Sequence, residues 1–401
     1  MPDLPPVAPG TAPRRRDTRL DALRGLALVM IFINHVPGTV FEHWTSRNFG
    51  FSDAAEGFVL MSGLAAGIAY APGFRAPPFW PAVTRVWGRA WTLILAHMTV
   101  TVIALGLSGL AARFLNAPEM VEINNVAPIL ADPVGGFIGL ATLMHQLGYM
   151  NILPLYAVLL LVTPALLPLA MRWPYRLIAG SALVWLLAGS LRIAPPTYPT
   201  PSIWFFNPLS WQLLFVIGLC CGAAIRQKRR LFPARPGWLA AALAVLAAIL
   251  IWTQADGLGE VLNRGMFALR DGPGPAFLFD YDKTYLSGPR LLHVLALAYA
   301  LASLGAVRRL CDHRRAGWLR LLGQHGLTVF ALGTVLAFAA QAVKFAAPWG
   351  GVPLDAALLV AGLGMQLAVA MVRDRAAAQR RLAPVARPAA ELDGASPPPT
   401  R

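Results

Sequence analysis

Charged residues are scarce in this sequence: aspartate, glutamate, lysine and arginine together make up 13% of its 401 residues. A soluble domain carries roughly 25%, so the low content argues against a soluble globular protein. The charges that are present cluster between long apolar stretches, and 57% of all residues are hydrophobic. This pattern is typical of a membrane protein, in which each spanning helix needs about 20 mainly apolar residues.

Cysteine is rare as well. Of the three cysteines, Cys220 and Cys221 are neighbours in an apolar run and Cys311 lies in a basic loop. This spacing predicts neither a disulfide framework nor a zinc site. The sequence also lacks a glycine-rich phosphate loop and a cluster of metal ligands, so we expect no metal and no tightly bound cofactor. No small-residue cleavage site follows the first apolar run, which is therefore expected to remain as the first span.

The sequence contains instead a series of apolar runs. They predict an all-α, polytopic membrane protein with about ten transmembrane helices. The runs lie near residues 20–40, 54–71, 86–107, 152–171, 177–193, 209–225, 237–254, 290–307, 326–345 and 354–372. The stretch 127–145 is also apolar, but Asp132-Pro133 and Gly135-Gly136 interrupt it. We therefore expect a loop helix or a re-entrant segment there.

Basic residues outnumber acidic ones by 34 to 19. Most of them fall in alternate loops and in both tails when the N-terminus is placed in the cytoplasm. Because cytoplasmic loops are enriched in lysine and arginine, this distribution predicts that both termini are cytoplasmic. It also accounts for the net charge of +15 without a nucleic-acid partner. The predicted organisation is one membrane domain at 19–373 between two disordered tails, 1–18 and 374–401, rich in proline, alanine and arginine.

The first predicted span carries two ionisable residues, Arg24 near its inner end and His35 near its outer end. At about 100° and about 1.5 Å per residue, both lie on one helical face, about 16 Å apart. Ionisable groups inside a span are costly and are therefore candidates for function. The alternatives are a snorkelling cytoplasmic anchor for Arg24 and a helix-end histidine that touches water for His35.

Two carboxylates begin the second predicted span. Asp53 and Glu56 are three residues apart and share one helical face. The short loop before them returns the chain to the side where His35 lies, so we expect one of them to meet His35. A carboxylate there would fix the tautomer of the imidazole and prepare it as a general base for a sugar hydroxyl. The alternative for Asp53 is capping of the helix N-terminus.

These residues carry a resemblance to a known family. RLDALRGLALVMIFINH, with Arg24 and His35, resembles the first-span motif of the acyltransferase-3 superfamily, and SDAAEGFVLMSG at 52–63 resembles its second-span motif. Within that superfamily the chain is most similar to the OpgC-type branch, the succinyltransferases of osmoregulated periplasmic glucans. The supporting stretches are NILPLYAVLLL at 151–161, WFFNPLSWQLLFVIG at 204–218, DKTYLSGPRLLHVLALAY at 282–299 and GQHGLTVFALGTVLAF at 323–338.

The resemblance implies a multi-pass enzyme of the bacterial inner membrane, embedded in the lipid bilayer. An acyl-CoA co-substrate, succinyl-CoA in this branch, would enter from the cytoplasm, and a hydroxyl of a periplasmic glucan would take the acyl group on the outer side. His35 would be the catalytic base or a transient acyl carrier. The alternatives are acetyl transfer to another surface polysaccharide or lipid-linked sugar, and a transporter. The absence of two similar halves with matched broken helices argues against a transporter.

Further candidates follow from this implied reaction. Arg85 and Arg89 lie one turn apart at the inner end of the third span and, with Arg24, could bind the phosphates of CoA. Anchoring of the span by positive charges on the cytoplasmic side is the alternative. Arg290 and His293 share a face at the outer end of the eighth span, and Lys283 precedes them.

These outer cations could recognise the succinyl carboxylate or an anionic glucan, and interfacial anchoring with loop packing is the alternative. Four aromatic residues, with Asn207 and Gln212 beside them, would suit a sugar ring at the outer mouth: Trp204, Phe205, Phe206 and Trp211. The aromatic belt of membrane proteins predicts the same residues. Asn151, which opens one of the resembling stretches, joins this group of substrate-binding candidates.

Overall fold

The computed structural model describes residues 17–382 of the chain. Within this range the protein is built from sixteen α-helices joined by loops and short 3-10 turns, and it has no β-strand beyond one isolated bridge between Pro196 and Ile203. The helices are α1 (Arg19–Asn34), α2 (Ala54–Tyr70), α3 (Trp80–Phe114), α4 (Glu119–Ile123), α5 (Ala127–Ala131), α6 (Pro133–Ala141), α7 (Ile152–Arg172), α8 (Pro174–Ser190), α9 (Pro208–Arg226), α10 (Pro236–Gln254), α11 (Leu258–Arg270), α12 (Gly288–Ser303), α13 (Gly305–Asp312), α14 (Gly317–Gln324), α15 (Gly326–Ala346) and α16 (Gly351–Leu382).

Every predicted span overlaps a helix. In the described range, seven are long and apolar enough to cross a membrane, and α12 with α13 makes an eighth if this pair, bent by 72°, is one span. The all-α, multi-pass membrane fold is thereby confirmed. Helices α1 and α8 have 16 and 17 residues, which is about 24–26 Å at 1.5 Å per residue and short of a hydrocarbon core of about 30 Å. The count of about ten spans and the cytoplasmic termini stay predictions.

The interrupted stretch 127–145 forms two short helices, α5 and α6, as the sequence predicted. Asp132 lies between them, and its carboxylate caps α6 by accepting a hydrogen bond from the backbone N–H of Gly135 at 2.9 Å. Neither helix is long enough to span a bilayer. This segment therefore adds no spanning helix and leaves the order of the spanning helices unchanged.

The last helix extends beyond the predicted end of the membrane domain. The expectation of a disordered tail from residue 374 is wrong for residues 374–382, because α16 continues to Leu382. The sequence RAAAQRR in this stretch is made of residues with high helix propensity, which favours continuation of the helix. Residues 1–16 and 383–401 of the two predicted tails lie outside the described residues.

Glycines bring helices α2 and α9 into close backbone contact. A side chain at Gly63 of α2 would collide with the carbonyl of Phe215 in α9, and one at Gly222 of α9 would collide with that of Leu64. Small residues spaced by four let membrane helices approach closely and gain van der Waals contact. Packing against α9 fixes α2, and with it the two carboxylates at the start of α2.

Candidate active site

A cavity of about 740 Å³ opens beside the end of α1 that is predicted to face outward. Its lining combines the C-terminal end of α1, the loop and first turn of α2, the end of α10, part of α11, and the segment that leads into α12. Among the predicted site residues, His35, Asp53, Asn151, Lys283 and Arg290 line this cavity. The structure therefore brings together side chains that lie far apart in the sequence.

His35 ends α1 and presents its ring to the cavity. The imidazole stacks on Tyr149, with ring centroids 4.7 Å apart and an angle of 17° between the planes. The backbone carbonyl of His35 accepts a hydrogen bond from Nε2 of Gln341 at 3.0 Å. Among the described residues, neither ring nitrogen of His35 has a hydrogen-bond partner. The ring is thus held by stacking and by its backbone, and its nitrogens remain available to a ligand.

The two carboxylates do not contact His35, so the expectation that one of them orients the imidazole is wrong. Asp53 caps α2 instead: its Oδ1 accepts from the N–H of Ala55 at 2.8 Å. Oε2 of Glu56 in turn accepts from the N–H of Asp53 at 3.0 Å, which completes a capping box. The exposed N–H groups at a helix start attract carboxylates, and this local pairing turns both away from His35.

Two cations from the segment around α12 form ion pairs with these carboxylates. Oε1 of Glu56, whose side chain is fully buried, lies 2.7 Å from Nε and 2.5 Å from Nη2 of Arg290. Asp53 pairs with Nζ of Lys283 and lies 3.5 Å from Nη2 of Arg290. Burial alone would raise the pKa of Asp53, but Lys283 and Arg290 outweigh it and hold that pKa well below its ordinary value. Buried charges need such pairing.

These four residues form a charge network of two carboxylates and two cations: Asp53, Glu56, Lys283 and Arg290. The network has no net charge, but it still offers hydrogen-bond donors to the cavity. Nε and Nη2 of Arg290 face Glu56, whereas Nη1 has no partner among the described residues. Arg290 lines the cavity, so Nη1 is placed to donate to a ligand oxygen. The network therefore anchors the guanidinium in one orientation, which favours selective recognition of a carboxylate.

His293 does not line the cavity. Its Nδ1 accepts from the backbone N–H of Ser52 at 3.2 Å and lies 2.7 Å from Oγ of the same serine. The buried ring also packs directly against Gly50, where a side chain would collide with it. The expected role of His293 in substrate binding is therefore corrected, since it packs under the loop that precedes α2 and holds that loop in place.

The predicted aromatic and amide group is divided by the fold: Phe205 and Phe206 line the cavity, whereas the other four residues do not. Trp204 and Trp211 are buried, and the indole N–H of Trp211 donates to the carbonyl of Lys283 at 2.9 Å. Asn207 caps α9 through the N–H of Leu209, and Gln212 donates to the carbonyl of Ser181. None of the four lines the cavity. Trp211 supports the segment that carries Lys283, whereas Asn207 caps α9 and Gln212 connects α9 to α8.

Several aromatic residues that the sequence analysis did not single out line the cavity, among them Phe51, Trp252 and Tyr281. Trp252 lies near the C-terminal end of α10, and Tyr281 lies in the segment before α12. No local motif marks them, because a tryptophan at the end of an apolar run is also what an aromatic belt predicts. Only the packing of separate segments brings the three rings together.

At the predicted cytoplasmic end, the structure brings the three arginines near two tyrosines. Arg85 and Arg89 both interact electrostatically with Tyr70, while Arg24 and Arg89 interact with Tyr156. Nη2 of Arg24 also lies 3.4 Å from the carbonyl of Met61. The three cations therefore form one cluster at the opposite end of α1 from His35.

Comparison with known proteins gives one match. A protein family described as "OpgC protein" matches residues 16–378, which is most of the chain. This match confirms the OpgC-type resemblance, while the wider acyltransferase-3 relationship stays a prediction. No curated protein and no solved structure matches the chain.

Proposed function

This chain belongs to the OpgC family, and we propose that it is a membrane-bound O-acyltransferase of the bacterial inner membrane. The proposed reaction transfers a succinyl group from succinyl-CoA to hydroxyls of osmoregulated periplasmic glucans. The main support is the position of His35, whose imidazole lines a cavity of about 740 Å³ with no hydrogen-bond partner on either ring nitrogen among the described residues. A cavity of this size suits a sugar unit together with an acyl group.

In the proposed reaction, His35 acts as the general base. A ring nitrogen takes the proton of the sugar hydroxyl while that oxygen attacks the thioester carbonyl. The carbon–sulfur bond then breaks, and the CoA sulfur leaves as a thiolate that is protonated from the imidazolium or from water. The stack on Tyr149 and the bond from Gln341 supply the orientation that a carboxylate supplies in other general-base sites.

Arg24, Arg85 and Arg89 would bind the phosphates of the CoA donor. Arginine suits this role because its guanidinium makes paired hydrogen bonds to phosphate oxygens. The cluster lies at the opposite end of α1 from His35, so a pantetheine arm reaching along the protein interior would connect the two ends. Neither metal nor a tightly bound cofactor is required for this step.

The acyl group would be recognised at the outer end. A succinyl thioester carries a free carboxylate, and Nη1 of Arg290 together with Lys283 offers it cationic donors. An acetyl group has no such carboxylate, so acetylation of another polysaccharide or of a lipid-linked sugar would make no use of this arrangement. The anchored guanidinium of Arg290 is therefore the observation that favours succinyl over acetyl.

Mass spectrometry of periplasmic glucans, from cells with and without this gene, tests the proposal. We expect succinylated glucans to disappear on deletion and to return with the wild-type gene but not with His35→Ala. Equal amounts of both proteins in the membrane fraction are the control. Unchanged glucans would contradict the acceptor assignment, and loss of acetyl groups from another polysaccharide would favour the alternative substrate.

An intact-mass measurement separates the two possible roles of His35. Purified protein is mixed with succinyl-CoA without an acceptor, and the protein mass is recorded. A succinylated protein that is absent with His35→Ala would identify the acyl-carrier role. A protein mass that stays unchanged while transfer to glucan proceeds would support the base role.

A further inference from the structure

We propose that Phe51, Trp252 and Tyr281, here called the aromatic wall, form the subsite that binds an unsubstituted glucose ring of the acceptor. This inference rests on the proposed function and names the part of the cavity that selects the acceptor. The three residues come from three segments: the loop before α2, the end of α10 and the segment before α12. All three line the same cavity as His35.

The rings of the aromatic wall contact one another. The centroid of Phe51 lies 5.3 Å from that of Trp252, with the ring planes at 88°. It lies 5.0 Å from that of Tyr281, with the planes at 44°. Each ring is only half buried, so part of its face remains accessible. The wall therefore offers a fixed apolar surface on a side of the cavity that also contains polar groups.

Asn263 of α11 fixes the polar ends of two of these rings. The indole N–H of Trp252 donates to its Oδ1 at 3.0 Å, and the hydroxyl of Tyr281 donates to the same oxygen at 2.7 Å. An interfacial belt would direct these groups toward water and headgroups, whereas here both turn inward to one amide. The NH₂ group of Asn263 has no partner among the described residues, and Asn263 lines the cavity, so it can donate to a sugar hydroxyl.

The chemistry of this surface fits a neutral sugar. A pyranose ring has one face of C–H groups, which packs on aromatic rings, and hydroxyls at its edge, which need hydrogen-bond partners. Asp256 and Glu260 line the cavity beside the aromatic wall and can accept from such hydroxyls. Their negative charge disfavours a ring that already carries a succinyl carboxylate. The subsite therefore selects an unsubstituted glucose unit.

Calorimetric titration of unsubstituted periplasmic glucan into the full-length protein in lipid nanodiscs, without a donor, tests this assignment. We expect Trp252→Ala to weaken binding about ten-fold and Trp252→Phe to weaken it less, because phenylalanine keeps a ring face. Tyr281→Phe should weaken binding a few-fold, because the ring stays but loses its bond to Asn263. Trp349→Ala is the matched control, since Trp349 is an exposed tryptophan outside the cavity, and we expect its binding to be unchanged.

Thermal unfolding checks that each variant is folded. Hydrolysis of succinyl-CoA without an acceptor checks that each variant still acts on the donor. Wild-type affinity for glucan in a folded Trp252→Ala protein would overturn the inference. If that variant also succinylates glucan with the wild-type KM, the proposed function stands while the subsite is wrong. If the wild type itself neither binds nor acylates glucan, the proposed function fails and this inference fails with it.

A separate titration tests whether the two carboxylates select against succinylated glucan. Titration with succinylated glucan should give weaker binding to the wild type than titration with unsubstituted glucan. In the double variant Asp256→Asn and Glu260→Gln this difference should shrink, because the opposing carboxylates are neutral. An equal preference in both proteins would show that these two carboxylates do not select the acceptor.

Discussion

The side-chain amide of Gln341 donates a hydrogen bond of 3.0 Å to the backbone carbonyl of His35. Its own Oε1 accepts from Nδ2 of Asn124 at 3.1 Å, and both amides are fully buried. The carbonyl of a helix-ending residue lacks an intrahelical partner, so Gln341 satisfies it and ties the end of α1 to α15. Asn124 extends this connection to the segment after α4. We infer that Gln341 is a positioning residue for His35.

Replacement of Gln341 by leucine keeps the side-chain volume but removes the donor to His35. We expect kcat for acyl transfer to fall roughly 10–100-fold, since small misplacement of a catalytic group is costly, while the KM for succinyl-CoA stays unchanged. Gln341→Glu should act more strongly, because a carboxylate oxygen would face the carbonyl.

Gln366→Leu is the matched control for this variant. Gln366 is also a buried glutamine, but within the described part of the chain its side chain bonds only to the carbonyl of Gly362 in its own helix, at 3.3 Å. A structural effect common to buried glutamines would appear in both variants. Wild-type kcat in a folded Gln341→Leu protein would remove Gln341 from the mechanism.

The stack of His35 on Tyr149 predicts a difference between two substitutions. Tyr149→Phe keeps the ring and should retain most of the activity. Tyr149→Ala removes the surface that holds the imidazole and should lower kcat about ten-fold or more, since aromatic pairs contribute about 0.5–1.5 kcal/mol beyond burial. Steady-state transfer rates at saturating donor would measure this. Equal loss in both variants would instead point to the tyrosine hydroxyl.

The sequence could place His35, Asp53 and Arg290 at one end of the protein. Each is an ionisable residue at the outer end of a predicted span, and the bilayer interior excludes unpaired charge. Which of them pair could not be predicted, because the Asp53–Lys283 contact joins residues 230 positions apart. Capping of α2 by Asp53, a purely local feature, was the alternative and is the arrangement that the structure has, with Glu56 completing a capping box.

The sequence also could not predict which aromatic residues are buried and which line the cavity. Trp211 and Trp252 both lie near the end of an apolar run, but Trp211 is fully buried and Trp252 lines the cavity. The rotation of each helix about its axis decides this, and neighbouring helices set that rotation. Helix α9 is packed closely against α2 through Gly222, which turns Trp211 inward. Hydropathy alone contains no information on that packing.

Neutralising Glu56 should destabilise the protein rather than disturb the imidazole directly. Glu56→Gln leaves the guanidinium of Arg290 without its buried carboxylate, and breaking a buried ion pair costs about 3–5 kcal/mol. We expect a lower thermal unfolding midpoint in nanodiscs. Adding Arg290→Met to this variant should recover much of the loss, because removal of both charges of a buried pair is far less costly. No recovery in the double variant would contradict the pairing.

The close contact of α2 and α9 predicts that adding one methyl group at Gly222 destabilises the protein. Gly222→Ala places a Cβ against the backbone of Leu64, and overpacking of a tight interior costs about 1–3 kcal/mol. The matched control is Gly180→Ala in α8, where a Cβ meets no atom within 4 Å and alanine raises helix propensity. We expect a lower unfolding midpoint only for Gly222→Ala. Similar midpoints for both would show that the two helices can separate without cost.

The cluster of Arg24, Arg85 and Arg89 predicts that loss of one arginine weakens binding of the donor and leaves binding of the acceptor unchanged. Arg89 interacts electrostatically with Tyr70 and Tyr156 at the predicted cytoplasmic end, so Arg89→Ala should raise the KM for succinyl-CoA about ten-fold and leave the KM for glucan unchanged. The reason is the loss of charge-assisted hydrogen bonds to phosphate. Arg113→Ala is the control, because Arg113 is an exposed arginine at the opposite end of α3. Added salt should raise the donor KM of the wild type more than that of Arg89→Ala, since phosphate binding is screened. A donor KM that changes equally in the Arg89 and Arg113 variants would show that general positive charge, rather than this cluster, attracts the CoA.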